Sequence, residues 1–173
     1  METVEYCFQV RRILPALILL YTLIDSISWL ATSSPNASVR RRFTRWVDDW
    51  MLKSGALPCT SLELYAARCG VLHSLTSDSD LTALKKARRI LYSFRDDSAS
   101  PLQEVADHIR PREFVAIRIE DFYDAFRIGL ANFLEDTFQN PSKRAAFERR
   151  AVGHFSYLRR SDVDSALSNI KKA

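Results

Sequence analysis

The stretch Thr60–Ser77, TSLELYAARCGVLHSLTS, decides how the rest of the chain is read. Thr60 followed three residues later by Glu63 is a capping-box pattern, and it comes just after the turn-forming Pro58. A helix therefore begins at this point. On that helix Arg68 has Leu64, Tyr65, Val71 and Leu72 as its i±3 and i±4 neighbours. A guanidinium among four apolar side chains needs a carboxylate partner, an interface or an anionic ligand.

His73 follows five residues later, with Cys69, Gly70, Thr76 and Ser77 as its helical neighbours. These are small or polar, so His73 lies on an open side of the helix, about 140° round from Arg68. Two readings follow. In one, the long side chains lean toward a common cleft and bring a permanent cation and an imidazole onto the same phosphate. In the other, Arg68 pairs with a buried acid and His73 caps its own helix end.

Upstream, Val4–Ala31 reads as one long helix kinked near Pro15. Its second half is apolar almost all round, which predicts a central core helix. The apolar run Ile13–Ile24 stops at Asp25, short of the ~20 residues a membrane span needs. Trp29-Leu-Ala31 is a poor signal-peptide cleavage site. A buried helix, with no membrane partner, is the expectation. Asp25 shares a stripe with Tyr21, Ser28 and Trp29. A carboxylate there is expensive unless paired, and Arg68 is the most economical partner; the alternative has Asp25 pointing outward at the helix edge.

A turn at residues 33–36 leads to a second helix, about Ser38–Lys53, with Phe43, Trp46, Val47, Trp50 and Met51 on one face. Its first turns hold Arg40, Arg41, Arg42 and Arg45, at the dipole end where cations do not help stability. That placement fits phosphate contact or a plain solvated face. Past the Thr60–Ser77 stretch, Ser77–Asp80 caps a further helix carrying Lys85, Lys86, Arg88 and Arg89, a second basic cluster. Ile90–Phe94 either finishes that helix or forms a short strand, to which the β-branched Phe114–Glu120 run would pair. Residues 95–111 are the most loop-like, with Leu102–Ile109 as a candidate short helix.

Ile119–Gln139 is the clearest amphipathic helix after the first, with Phe122, Phe126, Leu130, Phe133, Leu134 and Phe138 at helical spacing. Such a stripe reads as core or dimer interface in preference to a base-stacking platform. Asn140-Pro141 ends it, and helices over Ser142–Leu158 and Ser161–Ile170 complete the chain. His108 and His154 have no partners at informative spacing.

Composition narrows the classes. The chain has 173 residues, 47% of them apolar and only four glycine. That is enough for one self-sufficient domain, residues 1–173. No GxGxxG or P-loop string is present, so glycine-loop nucleotide folds are disfavoured. Cys7, Cys59 and Cys69 lack CxxC spacing and read as reduced thiols of a cytoplasmic protein, not a disulfide framework or zinc site. Three scattered histidines and no HExxH give no metal signature, and no cofactor is expected. A net charge of +4 permits an anionic partner.

Arg68-Cys-Gly-Val-Leu-His73 is an Arg-x4-His element on a helix in an α-rich chain, approached through Leu-Tyr-Ala-Ala-Arg. It resembles the motif of the HEPN superfamily (higher eukaryotes and prokaryotes nucleotide-binding domains). After the arginine, catalytic members often carry Asn, Asp or His, where this chain has Cys69. The resemblance implies an all-α HEPN-like bundle, with room for one short two-stranded element. It also implies a homodimer, and a metal-independent endoribonuclease of the toxin or defence kind, with an inhibitory protein as a further partner. Arg68 and His73 would be catalytic, with Asp25 and Cys69 in support. The two basic clusters would assist in holding RNA.

The chemistry suits these residues. RNA carries its own nucleophile, the 2′-hydroxyl, beside the scissile phosphate, so no metal-bound water is needed. An imidazole can take or deliver the proton. A guanidinium can meet the added charge of the phosphorane-like transition state with forked donors. The products would be a 2′,3′-cyclic phosphate and a 5′-hydroxyl. Two other classes remain open: a helical interaction domain in which Arg68 and His73 are structural, and a domain that binds RNA or nucleotides without cutting.

Overall fold

The computed structural model describes residues 1–152 except 33, 35, 54, 56, 96 and 97, together with 161. Contacts divide the chain into two compact units, Met1–Asp136 and Thr137–Ala173. The first is built of helices around one short sheet, in the order α1 (Glu2–Gln9), α2 (Ile13–Ala31), α3 (Val39–Trp46), α4 (Ser61–His73), α5 (Asp80–Ala83), β1 (Arg89–Ser93), α6 (Ala99–Ile109), β2 (Phe114–Arg118) and α7 (Ile119–Gln139). The fold is all-α in character, with a single two-stranded element among the described residues.

Where one kinked helix is expected over Val4–Ala31, the structure has two, broken at Val10–Arg12. Arg11 takes a positive φ of 55°, and Arg12 N–H bonds back to Cys7 O at 2.7 Å. Pro15 does not cause the break. It is the third residue of α2, where its missing N–H would have had no intrahelical partner. The long apolar helix is also less enclosed than its composition suggests. Ala16, Leu17, Leu20, Tyr21, Ile24 and Ile27 are buried, but Leu14 is 42% exposed, because α1, α3 and α4 pack beside only part of its circumference. Its length and apolarity would suffice for a membrane span; inside it, the Asp25 carboxylate is ion-paired.

The second predicted helix is α3 continued by a π-helical turn, Val47–Met51. Ser38 caps it, accepting from Arg41 N–H at 3.3 Å. The wide turn keeps Trp46 and Trp50 on one side, both edge-on to Phe133 at 6.2 and 5.5 Å. α7 passes this turn at Gly129, where a Cβ would lie 2.9 Å from Trp50 O. Only glycine permits that approach. The aromatic stripe on α7 is core from Phe122 to Phe133, with Phe122 and Phe126 fully buried, as is Tyr21, whereas Phe138 at its end is 47% exposed. Tyr21 and Tyr92 meet Phe122 at 5.3 and 6.5 Å, so α2, β1 and α7 share one aromatic centre. Each such ring contributes roughly 1.5–3 kcal/mol by burial.

The strands pair in parallel, Arg89 with Phe114 through Ser93 with Arg118. Parallel pairing needs a crossover, and α6 supplies it. Gln103 on α6 fastens the crossover to β2, accepting from Ala116 N–H at 2.7 Å and donating to Phe114 O at 3.3 Å. The expected helix through Lys85–Arg89 is not formed; α5 ends at Ala83, and Lys85 has a φ of 53°. Strand pairing takes Arg89 instead. The N-terminal α1 is held by residues far along the chain. Phe8 packs on Phe94 and Tyr123 at 5.9 and 5.5 Å, and Tyr123 OH donates to Glu5 Oε1 at 2.7 Å.

The second unit contains α8 (Pro141–Val152). Asn140 Oδ1 accepts from the N–H groups of Ser142 and Lys143 at 3.1 and 3.2 Å, and Pro141 takes the first helical position. Phe138 and Phe147 meet edge-on at 6.1 Å. His154, the end of the helix predicted to reach Leu158, and all but Ser161 of the last predicted helix lie outside the described residues.

Candidate functional site

The capping box that opens α4 is formed in both directions: Glu63 N–H donates to Thr60 Oγ1 at 3.2 Å, and Thr60 N–H to Glu63 Oε2 at 2.8 Å. It carries a partner that the sequence analysis missed. Arg88 Nε donates to Glu63 Oε1 at 2.5 Å and Nη2 to Oε2 at 3.1 Å. Burial pushes the Glu63 carboxyl up, but the bonds from Arg88 and Thr60 outweigh it and hold the pKa below the usual carboxylate value. Glu63 thus fixes both the start of α4 and the approach to β1.

Two turns on, Arg68 reaches α2. Its Nε donates to Asp25 Oδ2 at 2.7 Å, and Nη2 donates to the same oxygen. The side chains are only 13% and 18% exposed. Burial works against the charge on Arg68, but Asp25 more than compensates and raises its pKa. Asp25 Oδ1 is buried and has no hydrogen-bond partner. The carboxylate is thus gripped from one side only.

The third nitrogen, Nη1, points toward the open side of α4 and lies 2.9 Å from His73 Nε2. Arginine offers donors only, so this contact requires Nε2 as the acceptor, with the imidazole proton on Nδ1. His73 is exposed, whereas Arg68 is mostly enclosed. The 140° between them is spanned by the length of Arg68. Cys69 lies below the bridge, Sγ 4.0 Å from Nη1. The resulting chain, Asp25–Arg68–His73, runs from the α2–α4 packing layer to solvent.

Gly70 makes room for the exit from α4. A Cβ there would sit 2.5 Å from Thr76 O and 2.7 Å from Asp78 O, so the following loop folds directly against the helix. Asp78 in that loop is ion-paired to Arg89.

The basic residues divide. Arg40 and Arg41 are exposed, Arg45 pairs with Asp49 at 3.5 Å, and Arg42 Nη1 bends back to Ala37 O at 3.3 Å. Lys85 and Lys86 are exposed, whereas Arg88 and Arg89 are held by Glu63 and by Asp78 with Glu113. Of the eight, Arg40 lines a cleft that it shares with Tyr65 and Cys69. Among the described residues, no three His, Cys, Asp or Glu side chains are grouped to hold a metal ion. No family model, curated protein or solved structure matches the chain.

Proposed function

We propose that the chain is a HEPN-like, metal-independent endoribonuclease in which Arg68 and His73 act on one phosphodiester. The observation that carries this reading is the 2.9 Å approach of Arg68 Nη1 to an exposed His73 Nε2, with Arg68 anchored from behind by Asp25. RNA would enter between the two side chains and replace their contact. His73 Nε2 takes the 2′-hydroxyl proton as O2′ bonds to phosphorus, and the P–O5′ bond breaks. Arg68 donates to the non-bridging oxygens as their charge grows. The departing O5′ takes a proton from water or from the His73 of a second copy. Cleavage therefore leaves a 2′,3′-cyclic phosphate and a 5′-hydroxyl.

The same reading carries a homodimer, with the partly open, apolar side of α2 as the surface that a second copy would cover. It also carries a cytoplasmic role as a toxin or defence component, answered by an inhibitory protein. Light scattering at tens of micromolar is expected to give twice the chain mass; a clean monomer would remove the second imidazole from the mechanism.

A second reading has an observation of its own. Asp25 holds Arg68 through two nitrogens, as a purely structural clamp between α2 and α4 would. In that case the chain is a helical interaction domain, or binds RNA or nucleotides without cutting them. Incubation of a mixed RNA pool in EDTA separates the two. The wild type is expected to cut with 2′,3′-cyclic ends and to spare DNA, and His73→Ala to lose at least ~100-fold in rate, the lower range for a general base. Cleavage that needs magnesium, or that survives His73→Ala, would rule out the mechanism.

A further inference from the structure

Beside the Arg68–His73 bridge lies a cleft of about 510 Å³, walled by the start of α3, the Tyr65–Cys69 face of α4 and the start of α5. We infer that this cleft is a nucleoside subsite, taking the base and ribose that adjoin the phosphate between Arg68 and His73; the inference rests on the phosphodiester reading above.

Its volume falls in the range of about 300–1,000 Å³ usual for small-molecule sites. Its walls mix an aromatic ring, Tyr65, and the apolar Val39 and Leu81 with a cation, Arg40, and a carboxylate, Asp80. A base has two π-faces and an edge of donors and acceptors, and a ribose has hydroxyls. The ring and the apolar walls suit the faces, whereas Asp80 suits an exocyclic amine or a ribose hydroxyl and Arg40 a flanking phosphate.

Continuity with the bridge selects a nucleotide over an unrelated apolar ligand. Tyr65 and Cys69 both line the cleft and both touch Arg68, whose guanidinium carbon is 6.0 Å from the Tyr65 ring centroid. On α4, Cys69 lies between Arg68 and His73 in angle as well as in sequence. A phosphate at the bridge therefore has this cleft as its neighbour. Tyr65 is steadied by Phe43, edge-on at 5.6 Å.

Cys69 supplies a probe that does not depend on cleavage. It lines the cleft and is partly exposed, whereas Cys7 and Cys59 are buried, and burial with the nearby Glu63 pushes the Cys59 thiol up to about 12. Alkylation of Cys69 by iodoacetamide, followed by peptide mass spectrometry, is expected to slow at least ~5-fold in saturating nucleoside 3′- or 5′-monophosphates, on the ordinary logic that an occupied site excludes reagent. Inorganic phosphate and ribose 5-phosphate should protect less than ~2-fold, because they leave the ring face open.

Protection should persist in Tyr65→Phe and disappear in Tyr65→Ala and in Arg40→Glu, the last a surface change that leaves the core untouched. Equal protection by inorganic phosphate, or full protection in Tyr65→Ala, would overturn the subsite. The two proposals fail separately. A wild type that cuts RNA yet gains no protection from nucleotides loses the subsite and keeps the nuclease. Protection without cleavage of any RNA keeps the subsite and loses the nuclease.

Discussion

Arg68→Ala is expected to end RNA cleavage and to lower the unfolding free energy by about 3–5 kcal/mol, the usual cost of stripping one partner from a buried pair. The carboxylate left behind has no other support: Asp25 Oδ1 is already without a partner, and both bonds to Oδ2 come from Arg68. His73→Ala should end cleavage with stability changed by less than about 0.5 kcal/mol, the ordinary range for a surface position. Arg68→Lys should fail in both respects, since one ammonium cannot hold Asp25 and still reach His73. Urea denaturation and RNA cleavage on the same preparations check the set. A fully stable Arg68→Ala would mean that Asp25 does not depend on this guanidinium.

At the other end of α4, Arg88→Ala is expected to cost about 3 kcal/mol at pH 7 by leaving the Glu63 carboxylate, which is 6% exposed, unpaired beneath its cap. The sign of the pH dependence follows from the direction of the shift. In the folded wild type Glu63 titrates below its unfolded value, which is about 4.3. Its pairing therefore adds stability above that value and is lost as pH falls through the lower, folded one. Without Arg88 the dominant influence is burial, which favours the neutral acid. Acidification from pH 7 to 4 should thus weaken the wild type more than Arg88→Ala. Glu63→Gln added to Arg88→Ala should recover part of the loss, because the amide oxygen can still accept from Thr60 N–H. Urea midpoints at the two pH values read this out; identical acid sensitivity in the two proteins would show that the pair does not set the cap.

The parts of the molecule that could be read in advance are those whose cause is local or whose alternatives are costly. Thr60 and Glu63 signal the start of α4 within four residues. The phenylalanine spacing of α7 gives a helix whose bounds, Ile119–Gln139, the structure repeats. Asp25 and Arg68 lie far apart in sequence, yet each was too expensive to leave alone among apolar neighbours, which made them each other's best partner.

Other features depend on contacts that no local pattern encodes. Arg88 looked like one of four cations on a helix, because lysine and arginine are good helix formers. Pairing of β1 with β2 and the pull of Glu63 override that preference. The break at Val10–Arg12 was hidden because the apolar pattern runs through it. The hydroxyl-to-hydroxyl bond between the buried Tyr21 and the half-buried Tyr92, whose pKa values are both raised by desolvation, joins residues that have no sequence relation. In the candidate site, residue type named Arg68 and His73, but their convergence depends on the reach of one side chain. The Arg40–Tyr65 cleft depends on how α3, α4 and α5 meet.

The seating of α1 has a consequence for the order of events during synthesis. Phe8 and Glu5 leave the ribosome well ahead of Tyr123, which they both engage and which follows more than a hundred residues later. At about 5–20 residues per second, that interval is of the order of 5–25 s. Throughout it, Phe8 and Tyr21 of α2 lack the surface made by β1 and α7. Nascent chains halted before Tyr123 should therefore be far better substrates for chaperones and proteases than chains that have passed it, a step that falls at one place along the message.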